Sequence, residues 1–286
     1  MRFLFIGDIV GKPGRNILRS ALPGLIAREG LDLVVANAEN AAGGSGLTPV
    51  MAEEIFAAGV DVITLGDHVY KRKEIIPLLE RDGRIVRPCN YPDSSPGITL
   101  AKVSVNPRTP NASAREPVTV AVFCVLGRVF MRPVDCPFTA VEKMLERIGG
   151  DAAVTLLDVH AEATSDKQVM GRLFDGRITA ILGTHTHVPT ADERILPGGT
   201  AFQCDVGMTG PHESILGRRI DRVIETTLSF RPTTFDVAVG DVRLNGTIVE
   251  ADPATGKATA IHRVCVTKEN LTNSTSSRST PSPPTI

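Results

Sequence analysis

The chain has 286 residues, enough to bury a large core in one elaborated domain, and its 31 basic and 32 acidic side chains leave a formal net charge of −1. That balance excludes the long-range positive field that gathers nucleic acid nonspecifically, so no stable nucleic-acid binding is expected. Five cysteines (Cys89, Cys124, Cys136, Cys204, Cys265) are odd in number, widely spaced and without a Cys-x-x-Cys pair; this fits neither a disulfide framework nor a zinc ribbon and points to a reducing cytoplasm.

The first residues enter an apolar run directly, without a charged leader, and no apolar run approaches the roughly 18 residues of a membrane span, so no membrane partner is expected. Residues 3–6 read as a strand, 14–29 as a helix, 33–36 as a strand, 49–58 as a helix, 62–65 as a strand and 73–81 as a helix. Such alternation predicts βαβ units and a largely parallel sheet. A loop-rich stretch with six prolines, from Pro88 to Pro117, interrupts the pattern before a new apolar run at 118–126. It reads as an insertion or sheet edge, because strands ending in polar side chains resume afterwards. Residues 138–148 read as a helix closed by Gly149 and Gly150. From 235 to 267, short β-type runs broken by Gly and Pro suggest antiparallel hairpins closing a second sheet. Residues 1–268 are expected to form a single domain, followed by a disordered Ser/Thr/Pro tail at 269–286.

Six apolar runs each stop at a side chain that can hold a metal or move a proton. They are 2–6 before Asp8, 31–35 before Glu39 and Asn40, 60–65 before Asp67 and His68, 152–157 before Asp158 and His160, 178–182 before His185 and His187, and 201–204 before Asp205. In an open α/β sheet ligands bind beyond the carboxyl ends of the strands, so these side chains would converge, which suggests a polynuclear metal centre. Each has a bland alternative: an N-cap or turn for Asp8, turn hydrogen bonds for Asn37 and Asn40, a surface loop for His-x-His. All would have to hold at once to remove the centre. A P-loop is excluded, because only three residues separate Gly7 from Gly11 and Pro13 stands where the magnesium-binding hydroxyl is needed. His185 and His187, at i and i+2 in an extended segment, would project to one side. Asp158 or Glu162 is placed to fix the tautomer of an imidazole. His212 and His262 read as structural or surface residues.

Together, Phe5-Ile6-Gly7-Asp8-Ile9-Val10-Gly11, Glu39-Asn40-Ala41-Ala42-Gly43-Gly44, Leu65-Gly66-Asp67-His68, Arg87-Pro88-Cys89-Asn90-Tyr91-Pro92, Asp158-Val159-His160-Ala161-Glu162-Ala163-Thr164, Gly183-Thr184-His185-Thr186-His187-Val188 and Asp205-Val206-Gly207-Met208-Thr209-Gly210-Pro211 resemble the bacterial YmdB-like branch of the calcineurin-like metallophosphoesterases. The resemblance runs in order over residues 1–265. It implies an α/β fold, a four-layer αββα sandwich, with two divalent or trivalent metal ions, iron or manganese. The implied activity is hydrolysis of phosphodiesters, including 2′,3′-cyclic nucleotides such as 2′,3′-cAMP. Carried over by position, Asp8, Glu39 and His187 would hold one metal, and Glu39, Asn40, Asp67, His160 and His185 the other, with Glu39 bridging. His68 matches the proton-donor histidine. The chain departs from the family in having Asp67 where Gly-Asn-His is usual, which adds a negative charge.

The expected mechanism uses a hydroxide shared by the two ions as nucleophile, in keeping with the absence of a Gly-x-Ser-x-Gly elbow. His68 would protonate the leaving alkoxide, and Asn40 or the amides of residues 43–45 would hold a phosphate oxygen. The expected partners are a small cyclic nucleotide and further copies of the chain in a dimer or tetramer. The alternative is a regulatory nucleotide-binding protein with incidental turnover. A metal-dependent amidohydrolase would place His-x-His at the first strand of a barrel, whereas here it lies near the fifth.

Overall fold

The computed structural model describes residues 1–106 and 117–270. The tail from 271 onward and the middle of the proline-rich stretch therefore lie outside the described residues. In chain order the strands are β1 (Arg2–Ile6), β2 (Asp8–Ile9), β3 (Leu33–Asn37), β4 (Val62–Thr64), β5 (Ile85–Val86), β6 (Ala101–Val105), β7 (Val118–Leu126), β8 (Val154–His160), β9 (Ala180–Thr184), β10 (Arg194–Ile195), β11 (Ala201–Gln203), β12 (Met208–Glu213), β13 (Gly240–Asp252) and β14 (Lys257–Thr267). The helices are α1 (Gly11–Glu29), α2 (Pro49–Ala57), α3 (Ile76–Arg81), α4 (Pro137–Ile148), α5 (Thr164–Leu173) and α6 (Ile220–Ser229). Among the described residues no helix is long and apolar enough to cross a membrane.

Two sheets form the sandwich. In the first, β1, β3, β4 and β5 run parallel in the order expected of βαβ units. In the second, β7, β8, β9 and β11 run parallel, with β6 and β10 antiparallel at its edges. The apolar runs are continuous because both faces of each central strand are buried. Alternation along β1 shows this: Phe3 and Phe5 pack between the sheets with Val122 and Leu156, while Leu4 and Ile6 pack outward against Leu18 and Leu22 of α1. On the far side, Phe123 and Leu157 turn outward against Val141 and Met144 of α4. The layers are thus α, β, β and α.

The C-terminal region corrects one expectation. β13 and β14 form a hairpin, but it does not close the second sheet: β13 lies antiparallel to β1, pairing Gly246–Glu250 with Ile6–Arg2, and so extends the first. The segment before Gly240 is not strand, and α5 and α6 add helices that the apolar periodicity did not single out. The proline-rich stretch carries the edge strand β6, in keeping with an insertion at a sheet edge.

Candidate metal centre

The strand ends do converge. Oxygens of Glu39 and Asp67 and ring nitrogens of His160 and His185 all lie within 4.8 Å of one another. Glu39 Oε1 is 3.2 Å from His160 Nε2, and Asp67 Oδ1 is 3.3 Å from the same nitrogen and 3.6 Å from His185 Nδ1. Beside this group stands a second: Asp8 Oδ1 is 3.7 Å from His187 Nε2, and Asn40 Nδ2 approaches Asp8 Oδ1 at 3.4 Å and His187 Nε2 at 3.3 Å. The Asn40 amide also donates to Glu39 Oε1 at 3.2 Å, so Glu39 and Asn40 lie between the two groups. Asp8, Glu39, Asn40 and His160 are buried.

Each imidazole presents one nitrogen to the centre and anchors the other. His160 Nδ1 is 2.8 Å from Thr184 Oγ1, His185 Nε2 is 3.1 Å from Glu162 Oε2, and His187 Nδ1 is 3.0 Å from the carbonyl of Leu216. Such outer partners fix the ring orientation and tautomer of a metal-binding histidine. Asp158 works one step further out, accepting from Thr184 Oγ1, Thr64 Oγ1 and Asn37 Nδ2. Glu162 and Asp158 were legible as such partners. Thr64, Thr184 and the Leu216 carbonyl were not, because a lone threonine or carbonyl carries no spacing signal.

His185 and His187 correct the expectation of an extended His-x-His segment. Both have left-handed φ, 95° and 65°, a strained conformation for residues with a side chain. Asp205 holds the turn: its Oδ2 accepts from Thr186 N at 3.0 Å and Thr186 Oγ1 at 2.7 Å, and its Oδ1 accepts from Gly207 N at 2.8 Å. Lys167 Nζ, itself buried, donates to the same Oδ2 at 2.8 Å. From the other side the amide of His185 donates to Asp8 Oδ2 at 3.0 Å.

His68 follows Asp67 in the turn after β4. Its amide donates to Glu39 Oε2 at 3.0 Å, and its Nδ1 is 2.8 Å from Asn40 Oδ1. Its side chain is 28% exposed, the accessibility a group that meets substrate requires. In the glycine-rich loop, the amides of Gly44 and Ser45 are spent on the carbonyls of Asn40 and Ala42. These two amides close the turn, which leaves Asn40 and the amide of Gly43 from the expected phosphate-holding set. Arg218 clamps the outside of this loop through the carbonyls of Gly43 and Gly44.

The electrostatics suit a cation. Burial is the largest influence on the Glu39 carboxyl and works to raise it, but His160 and His68 together hold the group below its ordinary value. Asp67 behaves likewise, burial being overcome by His160, His68 and His185 together. His160 is driven well above its ordinary value: burial opposes its charge, and Glu39, Asp67 and Asp8 together more than compensate. His185 is lowered, by burial and by the charge of His160. A proton on His160 and a metal ion would therefore compete for the same carboxylates. Two observations fit a metal in particular. Asp67 Oδ1 is buried with no hydrogen-bond partner among the described residues. Gly66 leaves a gap that a Cβ would fill, against Glu39 Oε2 and His160 Nε2.

A two-sheet αββα sandwich with carboxylates and imidazoles gathered at its strand ends defines the calcineurin-like metallophosphoesterase fold. Within that class, the family model of the YmdB-like proteins matches residues 4–264, and the chain belongs to this family. A 2′,3′-cyclic-nucleotide 2′-phosphodiesterase of Bacillus subtilis (strain 168) is 38% identical over 271 residues, 95% of this chain and 99% of that protein. Among solved structures, a hypothetical protein from Thermus thermophilus superposes with a TM-score of 0.85 at 40% identity, over 93% of this chain and 99% of the other. A phosphatase from Mycoplasma pneumoniae gives a TM-score of 0.85 at 32% identity, over 95% and 96%.

Proposed function

We propose that the chain is a phosphodiesterase acting on 2′,3′-cyclic nucleotides such as 2′,3′-cAMP, with iron or manganese at two positions. Asp8, Glu39 and His187 hold one ion, and Glu39, Asn40, Asp67, His160 and His185 the other. The observation that carries this reading is the packing of the Glu39, Asp67, His160 and His185 ligand atoms within 4.8 Å of one another, directly beside Asp8, Asn40 and His187. When bound, such a pair of ions lowers the pKa of water and withdraws charge from phosphoryl oxygens. The protein's own residues supply the rest. His68 carries the proton for the leaving alkoxide, and Asn40 and Glu39 hold its ring and its backbone amide in place. Thr184, Glu162 and the Leu216 carbonyl fix the three imidazoles.

Metal content and turnover of the purified protein test this reading on 2′,3′-cAMP and bis-p-nitrophenyl phosphate. The expected result is two equivalents of metal and turnover on both substrates; Asp8→Ala and His187→Ala should each lose one equivalent and fall to background activity. Tight binding of 2′,3′-cAMP without turnover at full metal loading would instead make the chain a regulatory nucleotide-binding protein. The reading includes a cytoplasmic homo-oligomer, dimer or tetramer. It is supported by free cysteines and by Leu228 and Phe230, which leave 79% and 91% of their surfaces exposed at the end of α6. Light scattering in solution tests it.

A further inference from the structure

The Arg87-Pro88-Cys89-Asn90-Tyr91-Pro92 segment supplies none of the candidate metal ligands, yet it carries two of the buried polar atoms that lack a hydrogen-bond partner among the described residues: Nε of Arg87, and the hydroxyl of Tyr91, which feels the charges of Asp67 and Glu39. Both residues line one cavity of about 770 Å³. Arg87 is only 4% exposed, and its single hydrogen bond, from Nη1 to the neighbouring carbonyl of Pro88 at 3.0 Å, leaves most of the guanidinium fork uncommitted. Among the described residues no carboxylate forms an ion pair with it. A buried cation without a counter-charge is costly, and an unpaired buried polar atom adds to that cost, so an arrangement of this kind calls for a ligand.

The opposite wall is α4. Lys143 and Arg147, one helical turn apart on that helix, face the same cavity, and Cys136 and Thr139 line it where the helix begins. Against these cations stand Asp93 and Asp135 at the rim, so the lining is cationic on balance. The residues assigned to the metal ions line no part of this cavity.

We propose that this cavity is a second binding site, separate from the metal centre, for a phosphomonoester of a small organic molecule. Arg87 meets the phosphate through the outer end of its guanidinium, and Lys143 and Arg147 neutralise the second negative charge. The volume exceeds what bare phosphate fills and suits a ligand of nucleotide size.

The test titrates the protein as purified with adenosine 5′-monophosphate, inorganic phosphate and adenosine. Binding is followed by calorimetry and by tyrosine fluorescence, for which the chain is suited because it has no tryptophan and only two tyrosines. Adenosine 5′-monophosphate should bind with one equivalent in wild type and in His187→Ala. In Arg87→Gln it should weaken about 10- to 100-fold, the loss expected for a charged hydrogen-bond pair. Should Arg87→Gln fail to fold, the exposed double variant Lys143→Ala/Arg147→Ala serves instead, with weakened affinity and a flatter salt dependence. Any of three results would overturn the proposal: adenosine binding as well as its monophosphate, binding that survives Arg87→Gln but disappears in His187→Ala, or no saturable response up to about 10 mM, tenfold above a ~1 mM dissociation constant.

Discussion

Gly66→Ala should empty the metal centre without unfolding the protein. The added Cβ would overlap Glu39 Oε2 and the Nε2 and Cδ2 atoms of His160, and those side chains have nowhere to retreat, being 1% and 0% exposed. Gly66 does not adopt the left-handed φ of Gly43, Gly44 and Gly46 in the neighbouring loop, so alanine meets no backbone penalty there. Overpacking of a tight interior costs about 1–3 kcal/mol, and reduced freedom of the unfolded chain returns about 0.4–1 kcal/mol. The net loss of roughly 0–3 kcal/mol lowers Tm by at most about 10 °C for a chain of this size. Catalysis is far more sensitive, since a displacement of about 1 Å among catalytic groups costs about 10²-fold. Gly83→Ala is the control, because a Cβ there meets nothing within 4 Å. Elemental analysis, 2′,3′-cAMP turnover and calorimetry should show Gly66→Ala folded, depleted in metal and at least about 100-fold slower, with Gly83→Ala unchanged. Wild-type metal content and turnover in Gly66→Ala would refute the placement of the ion between Glu39 and His160.

His68→Ala should keep its metal and lose about 10²–10⁴-fold in rate, less on p-nitrophenyl esters, whose leaving group needs no proton; an equal loss on poor and good leaving groups would show that His68 is not the acid. Asp205→Ala strands the buried Lys167 and frees the strained turn at Thr186. A loss of about 3–5 kcal/mol and 10–100-fold weaker metal binding are expected, and adding Lys167→Met should restore stability in melting curves but not metal affinity. The Asp158 carboxyl is pushed by burial from 3.8 up to about 6. The folded form thus holds its proton where the unfolded form releases it, and stability falls as pH rises through that window, by about 3 kcal/mol in all. Urea unfolding of Asp158→Asn should therefore gain on wild type by that amount between pH 4 and pH 7, and a difference that stays flat with pH would remove the charge from Asp158.

The residues gathered at the candidate metal centre were legible in the chain because of how parallel strands are buried. A strand covered on both faces reads as an unbroken apolar run, so a carboxylate or imidazole at or just past its end stands out, as at Asp8, Glu39, Asp67, His160 and His185. What lies between the strands is a matter of distant contacts. The pairing of β13 with β1 joins residues more than 200 positions apart, and nothing in the local pattern of either strand names its partner. The turn at His185 and His187 is left-handed because Asp205, in the loop after β11, and Asp8 of β2 hold its amides; by itself a His-x-His pair reads as extended. Arg87 shows the same division. Its sequence motif marks it out, but only the packing of the segment after β5 against α4 around one cavity shows that its charge is buried without an ion-pair partner among the described residues, because burial and pairing are properties of neighbours that the chain brings together only on folding.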